Sequence, residues 1–194
     1  AGFRINGTNG GDISYIGMIA AGTVPAGIVG IALRGPITES FGSPKLASAC
    51  LVATGLFLLL TRGRRGAGKV TWRTAMLIGV AQAVAILPGC SRSGWTITTA
   101  MLCGIGFSVA AEFSFLLSIP AIAGAFILES ASAGGGLGGV ETAVLAAAAA
   151  VAAASGYAAL KLLVWLLGRG SFHRFSWYLI PAGTAAFIWY ALSG

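Results

Sequence analysis

The stretch from Trp72 to Cys103 reads WRTAMLIGVAQAVAILPGCSRSGWTITTAMLC, and it decides the fold. It begins with an apolar helical segment, Trp72 to Leu87, which ends at the Pro88-Gly89 pair. A polar tip, Ser91 to Gly94, follows, and a second short helical segment runs from Trp95 to Cys103. Both segments are shorter than the about 20 apolar residues that a bilayer-spanning helix needs. They therefore predict a broken helical element.

The composition of the chain is that of an integral membrane protein. Of its 194 residues, 57% are hydrophobic and 9% are charged, and the mean hydropathy is +0.89. So few polar residues would not cover a soluble domain of this size. Continuous apolar runs of about 20 residues indicate helices, whereas barrel strands alternate over about 10 residues. We expect an all-α polytopic helical bundle that forms a single transmembrane domain over residues 1–194.

Five apolar spans surround the broken element. They are Ile13–Leu33, Lys45–Thr61, Ser108–Leu128 (interrupted by Pro120), Thr142–Leu167 and Phe175–Leu192, with a polar turn at Arg34–Pro44. The formal charge of +7 comes from bases that are scattered over loops, so it does not indicate nucleic-acid binding. We expect no nucleic-acid partner and assign most of these bases to membrane topology and anionic lipid contact.

The charged loops give a consistent orientation. One loop holds Arg62, Arg64, Arg65, Lys69 and Arg73 without an acid, and a second holds Arg169, His173 and Arg174. By the positive-inside rule both loops are cytoplasmic, which puts the acidic loop between Glu129 and Glu141 outside. With these loops so placed, the number of membrane crossings requires residues 72–104 to start and finish on the cytoplasmic side. They are therefore predicted to form a re-entrant hairpin whose tip is Pro88–Gly94.

Arg92 at this tip needs an anionic partner. An arginine in mid-membrane costs about 2.5–3.5 kcal/mol on insertion scales. The chain has only five acids, and most lie at predicted membrane edges: Asp12, Glu39, Glu112, Glu129 and Glu141. A ligand anion fits better, and phosphate fits best, because a guanidinium donates two parallel hydrogen bonds to phosphate oxygens.

Other residues of the tip suit the same ligand. Hydroxyl donors come from Ser91, Ser93, Thr96 and Thr98. Gly89 and Gly94 permit close backbone approach, and the helix that follows Gly94 points its N-terminus at the same place. Three alternatives stay open: the Pro-Gly-x-Ser sequence only breaks a helix, Arg92 reaches an interface, and Ser93 is only an N-cap.

Three further assignments follow from the residue types. Gln82 bonds either the tip loop or the ligand, or else a neighbouring helix. Glu112 is favoured as a structural residue over a partner of Arg92 or of a basic loop residue. The cysteines, Cys50, Cys90 and Cys103, are expected to be small buried hydrophobes. Secondary transporters also hold anions at broken helices, so a transporter or flippase for a lipid phosphate or another anion is the alternative to an enzyme.

The stretch from Trp72 to Pro120 closely resembles the undecaprenyl-diphosphate phosphatases of bacteria, the bacitracin-resistance BacA type. The shared motifs are Ala81-Gln82-Ala83, Leu87-Pro88-Gly89-Cys90-Ser91-Arg92-Ser93-Gly94 and Glu112-Phe113-Ser114-Phe115-Leu116-Leu117-Ser118-Ile119-Pro120. The similarity covers the chain from Ile13 onward. It implies an inner-membrane hydrolase of bacteria, with inverted repeats and a periplasmic site, that converts a polyprenyl diphosphate to the monophosphate for cell-wall synthesis.

The resemblance also implies residue roles. Arg92 would be the essential arginine, Ser91 and Ser93 its supporting donors, and Gly89, Gly94, Thr96 and Gln82 the substrate-binding residues. The family's Glu-x-x-x-Glu and Ser-Ser-Thr-Gly-His signature, which serves a divalent cation (Mg or Ca), is absent.

We therefore expect a fragment of a longer parent that holds the second half of the inverted repeat and binds the diphosphate without cleaving it. His173 is expected to be an interfacial loop residue and not a replacement base. Trp95 stands where the family has a small residue, and it either stacks on the prenyl chain or fills space. A homodimer remains open.

Overall fold

A computed structural model describes residues 11–64, 66–132, 142–167 and 172–193. These residues are almost entirely helical, which confirms the all-α class. The helices are α1 (Gly11–Ala32), α2 (Arg34–Ser40), α3 (Pro44–Leu59), α4 (Trp72–Val84), α5 (Arg92–Leu102), α6 (Phe107–Ser132), α7 (Thr142–Leu167) and α8 (Ser176–Leu192), with a 3₁₀ helix at Phe172–Phe175.

Among the described residues, three helices are long and apolar enough to cross a membrane, namely α1, α6 and α7. Helices α2 and α3, which meet at 94°, give a fourth candidate if the bent pair is counted as one membrane span. Helix α2 occupies the segment predicted as a polar turn, and α6 continues through Pro120, where an interruption was expected. Helix α7 has the predicted bounds. The chain is therefore a polytopic membrane protein.

Helices α3 and α8 pack against each other in antiparallel directions. A Cβ atom at Gly55 would lie 2.7 Å from Ile180, and one at Gly183 would lie 2.8 Å from Val52. These small residues let the two backbones approach closely, as membrane helices commonly do. With 16 and 17 residues, α3 and α8 are at or below the short limit for a span, although both were predicted as full spans.

Helices α1 and α4 lie side by side and run in the same direction. A Cβ atom at Gly79 would lie 2.2 Å from the Gly22 carbonyl oxygen, so the two backbones are nearly in contact. The core between α1, α4, α5 and α6 is formed by fully buried side chains: Ile78, Ile97, Phe113 and Leu117. Helix α4 is thereby fixed between α1 and α5.

The α4–α5 pair begins and ends at the same end of the bundle. The Gly68 N–H, just before α4, donates to the Gly104 carbonyl, just after α5, at 3.0 Å. The ring of Phe172 lies 5.5 Å from that of Phe107, so the 3₁₀ helix is at this end as well. The described basic residues of both loops thus share one end, which we call the basic end. Arg65, Arg169 and the glycine-rich loop at 133–141 lie outside the described residues.

Candidate functional site

The break between α4 and α5 lies three residues earlier in the chain than the sequence predicts. Helix α4 ends at Val84 and not at Leu87, and α5 begins at Arg92 and not at Trp95. The N-cap is Ser91, whose Oγ accepts a hydrogen bond from the Gly94 N–H at 3.2 Å. The suggestion that Ser93 is the N-cap is therefore wrong, because extended Ser91 already supplies the capping oxygen. Arg92 and Ser93 lie in the first turn of α5.

Gly89 lets the break pack directly against α3. Its φ is +83°, and a Cβ atom there would lie 1.9 Å from the Ala47 carbonyl oxygen. Only glycine meets both conditions, since other residues avoid positive φ and carry a Cβ. Gly94 is buried against Leu58 and Ser91. The close approach that these glycines permit is therefore to protein in this structure.

Thr54 on α3 holds the break in place, and sequence reasoning missed it. Its Oγ1 accepts from the Ser91 backbone N–H at 3.2 Å and from Trp95 Nε1–H at 3.1 Å. The Trp95 ring stacks on Phe57 with 4.5 Å between centroids. Of the two uses open to Trp95, the structure shows space filling against α3. The only sequence signal for Thr54 was a hydroxyl in the middle of an apolar segment.

Arg92 is held on one edge by Gln82. Its Nε and Nη2 donate to Gln82 Oε1 at 3.1 Å and 2.7 Å, and Nη2 also donates to the Leu117 carbonyl at 3.4 Å. Gln82 is 2% exposed and Arg92 is half-buried. Because a guanidinium only donates hydrogen bonds, the amide oxygen must face it. Gln82 therefore bonds Arg92, a residue of the predicted tip that the structure places at the start of α5.

The positive charge of Arg92 is not neutralised within the described residues. Its partners are an amide and a carbonyl, and the possible ion pair with Glu112 is not formed. Both N–H groups of the other terminal nitrogen, Nη1, lack a partner among the described residues. The side-chain Nε2 of Gln82 is likewise buried without a partner there. Arg92 therefore keeps donors and charge for an anion.

Further donors lie in the first turn of α5. The backbone N–H groups of Arg92 and Ser93 precede the helical hydrogen-bond pattern, as helix N-termini require. The Ser93 hydroxyl makes no hydrogen bond with another described residue, and Ser91 uses only its oxygen as an acceptor. This set of neutral donors beside a cation suits an anionic ligand such as phosphate.

Thr96 and Thr98 are both buried inside the protein. Thr96 is fully buried, donates to the Arg92 carbonyl at 2.9 Å, and pairs with the hydroxyl of Ser114 on α6. This placement gives no support to Thr96 as a substrate donor, because its hydroxyl is already used inside the protein. Thr98 is fully buried, and its hydroxyl has no partner among the described residues.

A divalent cation does not fit the described residues of the break. Mg²⁺ and Ca²⁺ prefer carboxylate oxygens, whereas the side chains here are a guanidinium, an amide and hydroxyls. Across the described ranges, no three His, Cys, Asp or Glu residues cluster as a metal site would require. His173 lies at the basic end, in the 3₁₀ helix. We assign no chemical step to a cation at this break.

The cysteines are free thiols, and they differ in burial. Cys50 is buried, as expected, whereas Cys90 and Cys103 are only half-buried. The expectation of three buried residues therefore holds for one. Cys90 is less covered because it lies in the break between two helices, and Cys103 because it follows the last residue of α5.

Comparison with known proteins places the site in a family context. A family model described as bacitracin resistance protein BacA matches residues 3–185. The undecaprenyl-diphosphatase of Geobacter sulfurreducens is 46% identical over 86% of this chain and 64% of its own length. Those of Desulfatibacillum aliphaticivorans and Korarchaeum cryptofilum are 41% and 39% identical, over 88% and 86% of this chain and 63% of each relative. The chain thus spans slightly less than two thirds of these relatives.

Proposed function

Because the chain belongs to the bacitracin resistance protein BacA family, we propose that the protein hydrolyses undecaprenyl diphosphate. The reaction converts this polyprenyl diphosphate and water to the monophosphate and inorganic phosphate. It would recycle the lipid carrier for cell-wall synthesis. The related proteins reported above are named for this activity, and none of the three is named a transporter.

The observation that carries the proposal is the neutral partner of Arg92. Gln82 fixes one edge of the guanidinium without neutralising it, so the opposite edge can donate to the oxygens of a diphosphate. The Ser93 hydroxyl and the first N–H groups of α5 add donors beside it. A carboxylate in place of Gln82 would have competed with the substrate for the same cation.

Arg92 would act mainly as charge builds during hydrolysis. Water forms a bond to the terminal phosphorus, the bond from that phosphorus to the bridging oxygen breaks, and the bridging oxygen keeps the electron pair. Fixed donors aimed at such developing charge are often the largest catalytic contribution of a site. We assign Arg92 to substrate binding and charge stabilisation, and Ser91 and Ser93 to support. Gln82 is a positioning residue.

We further propose that residues 72–104 form a re-entrant hairpin in the bacterial inner membrane. Its two ends meet at the basic end through Gly68 and Gly104, which supports a path that enters and leaves on one side. The positive-inside rule assigns that side to the cytoplasm. The break would then open toward the periplasm. Its irregular backbone lies at membrane depth in this arrangement, where it is tolerated only beside protein or water.

The test is a liposome assay with the complete gene product. Undecaprenyl diphosphate labelled in the terminal phosphate is supplied to proteoliposomes, and released phosphate and lipid movement across the bilayer are measured separately. We expect phosphate release that saturates with substrate. Labelled lipid that crosses the bilayer without phosphate release would indicate a transporter, and binding without release would contradict hydrolysis.

A further inference from the structure

A second polar site lies at the basic end, away from the α4–α5 break. It is a cleft between the end of α3 and the start of α8, lined by Leu59, Arg62, His173, Arg174 and Trp177. Thr54, which contacts the break, precedes the cleft residue Leu59 on α3 by five residues, or about 8 Å at the rise of an α-helix. The proposed hydrolysis uses none of these residues. We call this feature the basic cleft.

The basic cleft concentrates positive charge. Arg62 follows α3 and Arg174 precedes α8, so two separate segments each supply a guanidinium. Both arginines are exposed, and neither forms an ion pair within the described residues. The half-buried imidazole of His173 adds a polar group beside them. No carboxylate is among the lining residues, so the cleft attracts anions and can donate bidentate hydrogen bonds.

The same cleft has an apolar side. Trp177 is 78% exposed and Leu59 is 37% exposed, and both lie beside the arginines. In a membrane protein, tryptophan next to basic residues is typical of the boundary between headgroups and acyl chains. A soluble anion would use only the cations, whereas a phospholipid would use the cations and the apolar surface together.

We propose that the basic cleft binds the phosphate headgroup of an anionic membrane phospholipid, with the acyl chains against Trp177 and Leu59. The site is independent of the diphosphate site, because its residues lie on other segments at the opposite end of the hairpin. Phosphatidylglycerol is a suitable probe, since its phosphodiester carries one negative charge and its headgroup adds no cation.

The experiment measures lipid retention by the purified 194-residue chain in neutral detergent with native mass spectrometry. Phosphatidylglycerol and zwitterionic phosphatidylcholine are titrated in parallel. We expect the variant Arg62→Gln with Arg174→Gln to bind phosphatidylglycerol about thirtyfold more weakly, since each basic residue near an anionic headgroup contributes on the order of 1 kcal/mol. Phosphatidylcholine binding should not change.

The matched control is Lys69→Gln with Arg73→Gln. This variant removes two charges from the same end, at exposed positions outside the cleft. We expect its affinity for phosphatidylglycerol to fall by less than about threefold. Replacement of both cleft arginines by lysine should keep part of the affinity, because lysine keeps the charge but cannot donate bidentate hydrogen bonds. Circular dichroism reports whether each variant folds. If the double variant does not fold, the single Arg174→Gln variant provides the test, and we expect it to bind phosphatidylglycerol about fivefold more weakly.

Two results would overturn the proposal. Equal losses of phosphatidylglycerol affinity in the cleft variant and in the control would show that the charge of the basic end attracts the lipid in general and that the cleft is not a binding site. Full displacement of phosphatidylglycerol by millimolar inorganic phosphate would show that the cleft selects a soluble anion. The hydrolysis proposal would survive both results, because phosphate release from undecaprenyl diphosphate is measured in a separate assay.

Discussion

At the scale of single residues, the identity of the partner of Arg92 determines what the site can bind. Gln82 satisfies the guanidinium on one edge with hydrogen bonds of 3.1 Å and 2.7 Å to one oxygen. An amide offers these contacts without a compensating charge, so the electrostatic attraction for an anion is kept. A glutamate at position 82 would make the same contacts and cancel the charge.

Replacement of Gln82 by glutamate should therefore impair the enzyme more than loss of the hydrogen bonds does. For the complete gene product, we expect kcat/KM with undecaprenyl diphosphate to fall about a hundredfold in Gln82→Glu and about tenfold in Gln82→Met. Methionine has a similar size and leaves the charge of Arg92 free. Equal or better activity of Gln82→Glu relative to Gln82→Met would refute the neutral-partner argument.

Thr54 should matter for stability more than for chemistry. Thr54→Val removes the acceptor of the Ser91 and Trp95 N–H groups and leaves both donors without it. We expect a loss of about 1–3 kcal/mol in the free energy of unfolding, seen as a lower melting temperature in detergent. Thr54→Ser keeps the hydroxyl and serves as the control. A melting temperature unchanged by Thr54→Val would mean that the two hydrogen bonds do not fix the break.

The sequence singled out Arg92, Ser91 and Ser93 as candidate site residues because their types are unusual in an apolar setting. It missed Thr54, whose partners are 37 and 41 positions away along the chain. The partner of Thr96 could not be predicted for a related reason. Nothing local to the motif indicates that Ser114 on the next helix takes its hydroxyl.

At the scale of secondary-structure elements, the ends of helices were harder to predict than their existence. The sequence predicted both helices of the α4–α5 pair, but it placed both ends of the break three residues too late in the chain. The difference arises from capping, since the Ser91 oxygen starts α5 before Arg92. Helix α7 matched its predicted bounds because a long alanine-rich segment has no competing cap within it.

Gly89 offers a direct test of how the break is packed. Gly89→Ala would place a Cβ atom 1.9 Å from the Ala47 carbonyl oxygen in a backbone with φ of +83°. We expect a loss of several kcal/mol or a failure to fold. Gly63→Ala is the matched control, because its φ is +74° and nothing lies within 4 Å, so only about 1–2 kcal/mol of strain applies. Similar melting temperatures for both variants would contradict the packing against α3.

At the scale of the whole molecule, charge pattern and packing agree on one basic end. The contacts Gly68 to Gly104 and Phe172 to Phe107 place both described basic segments together. The loop charges predicted this arrangement, because the positive-inside rule acts on the entire chain. The lengths of α3 and α8 were not predictable, since their close mutual packing through Gly55 and Gly183 is a tertiary feature.

Cysteine labelling in intact cells tests the orientation. In the complete gene product with its native cysteines replaced by alanine, Lys69→Cys and Arg174→Cys are compared with Lys45→Cys, which lies at the other end of α3. All three positions are exposed. We expect a membrane-impermeant maleimide to label position 45 only, and all three after permeabilisation. Labelling of positions 69 and 174 in intact cells would reverse the proposed topology.

Hydrolysis by Arg92 variants tests the central claim most directly. Phosphate release from undecaprenyl diphosphate is measured for the complete gene product with Arg92→Ala, Arg92→Lys and the control Arg73→Ala at the basic end. We predict that kcat/KM falls about a hundredfold or more in Arg92→Ala, recovers only in part in Arg92→Lys, and stays unchanged in Arg73→Ala. A folded Arg92→Ala protein that hydrolyses the diphosphate at the wild-type rate would contradict the account.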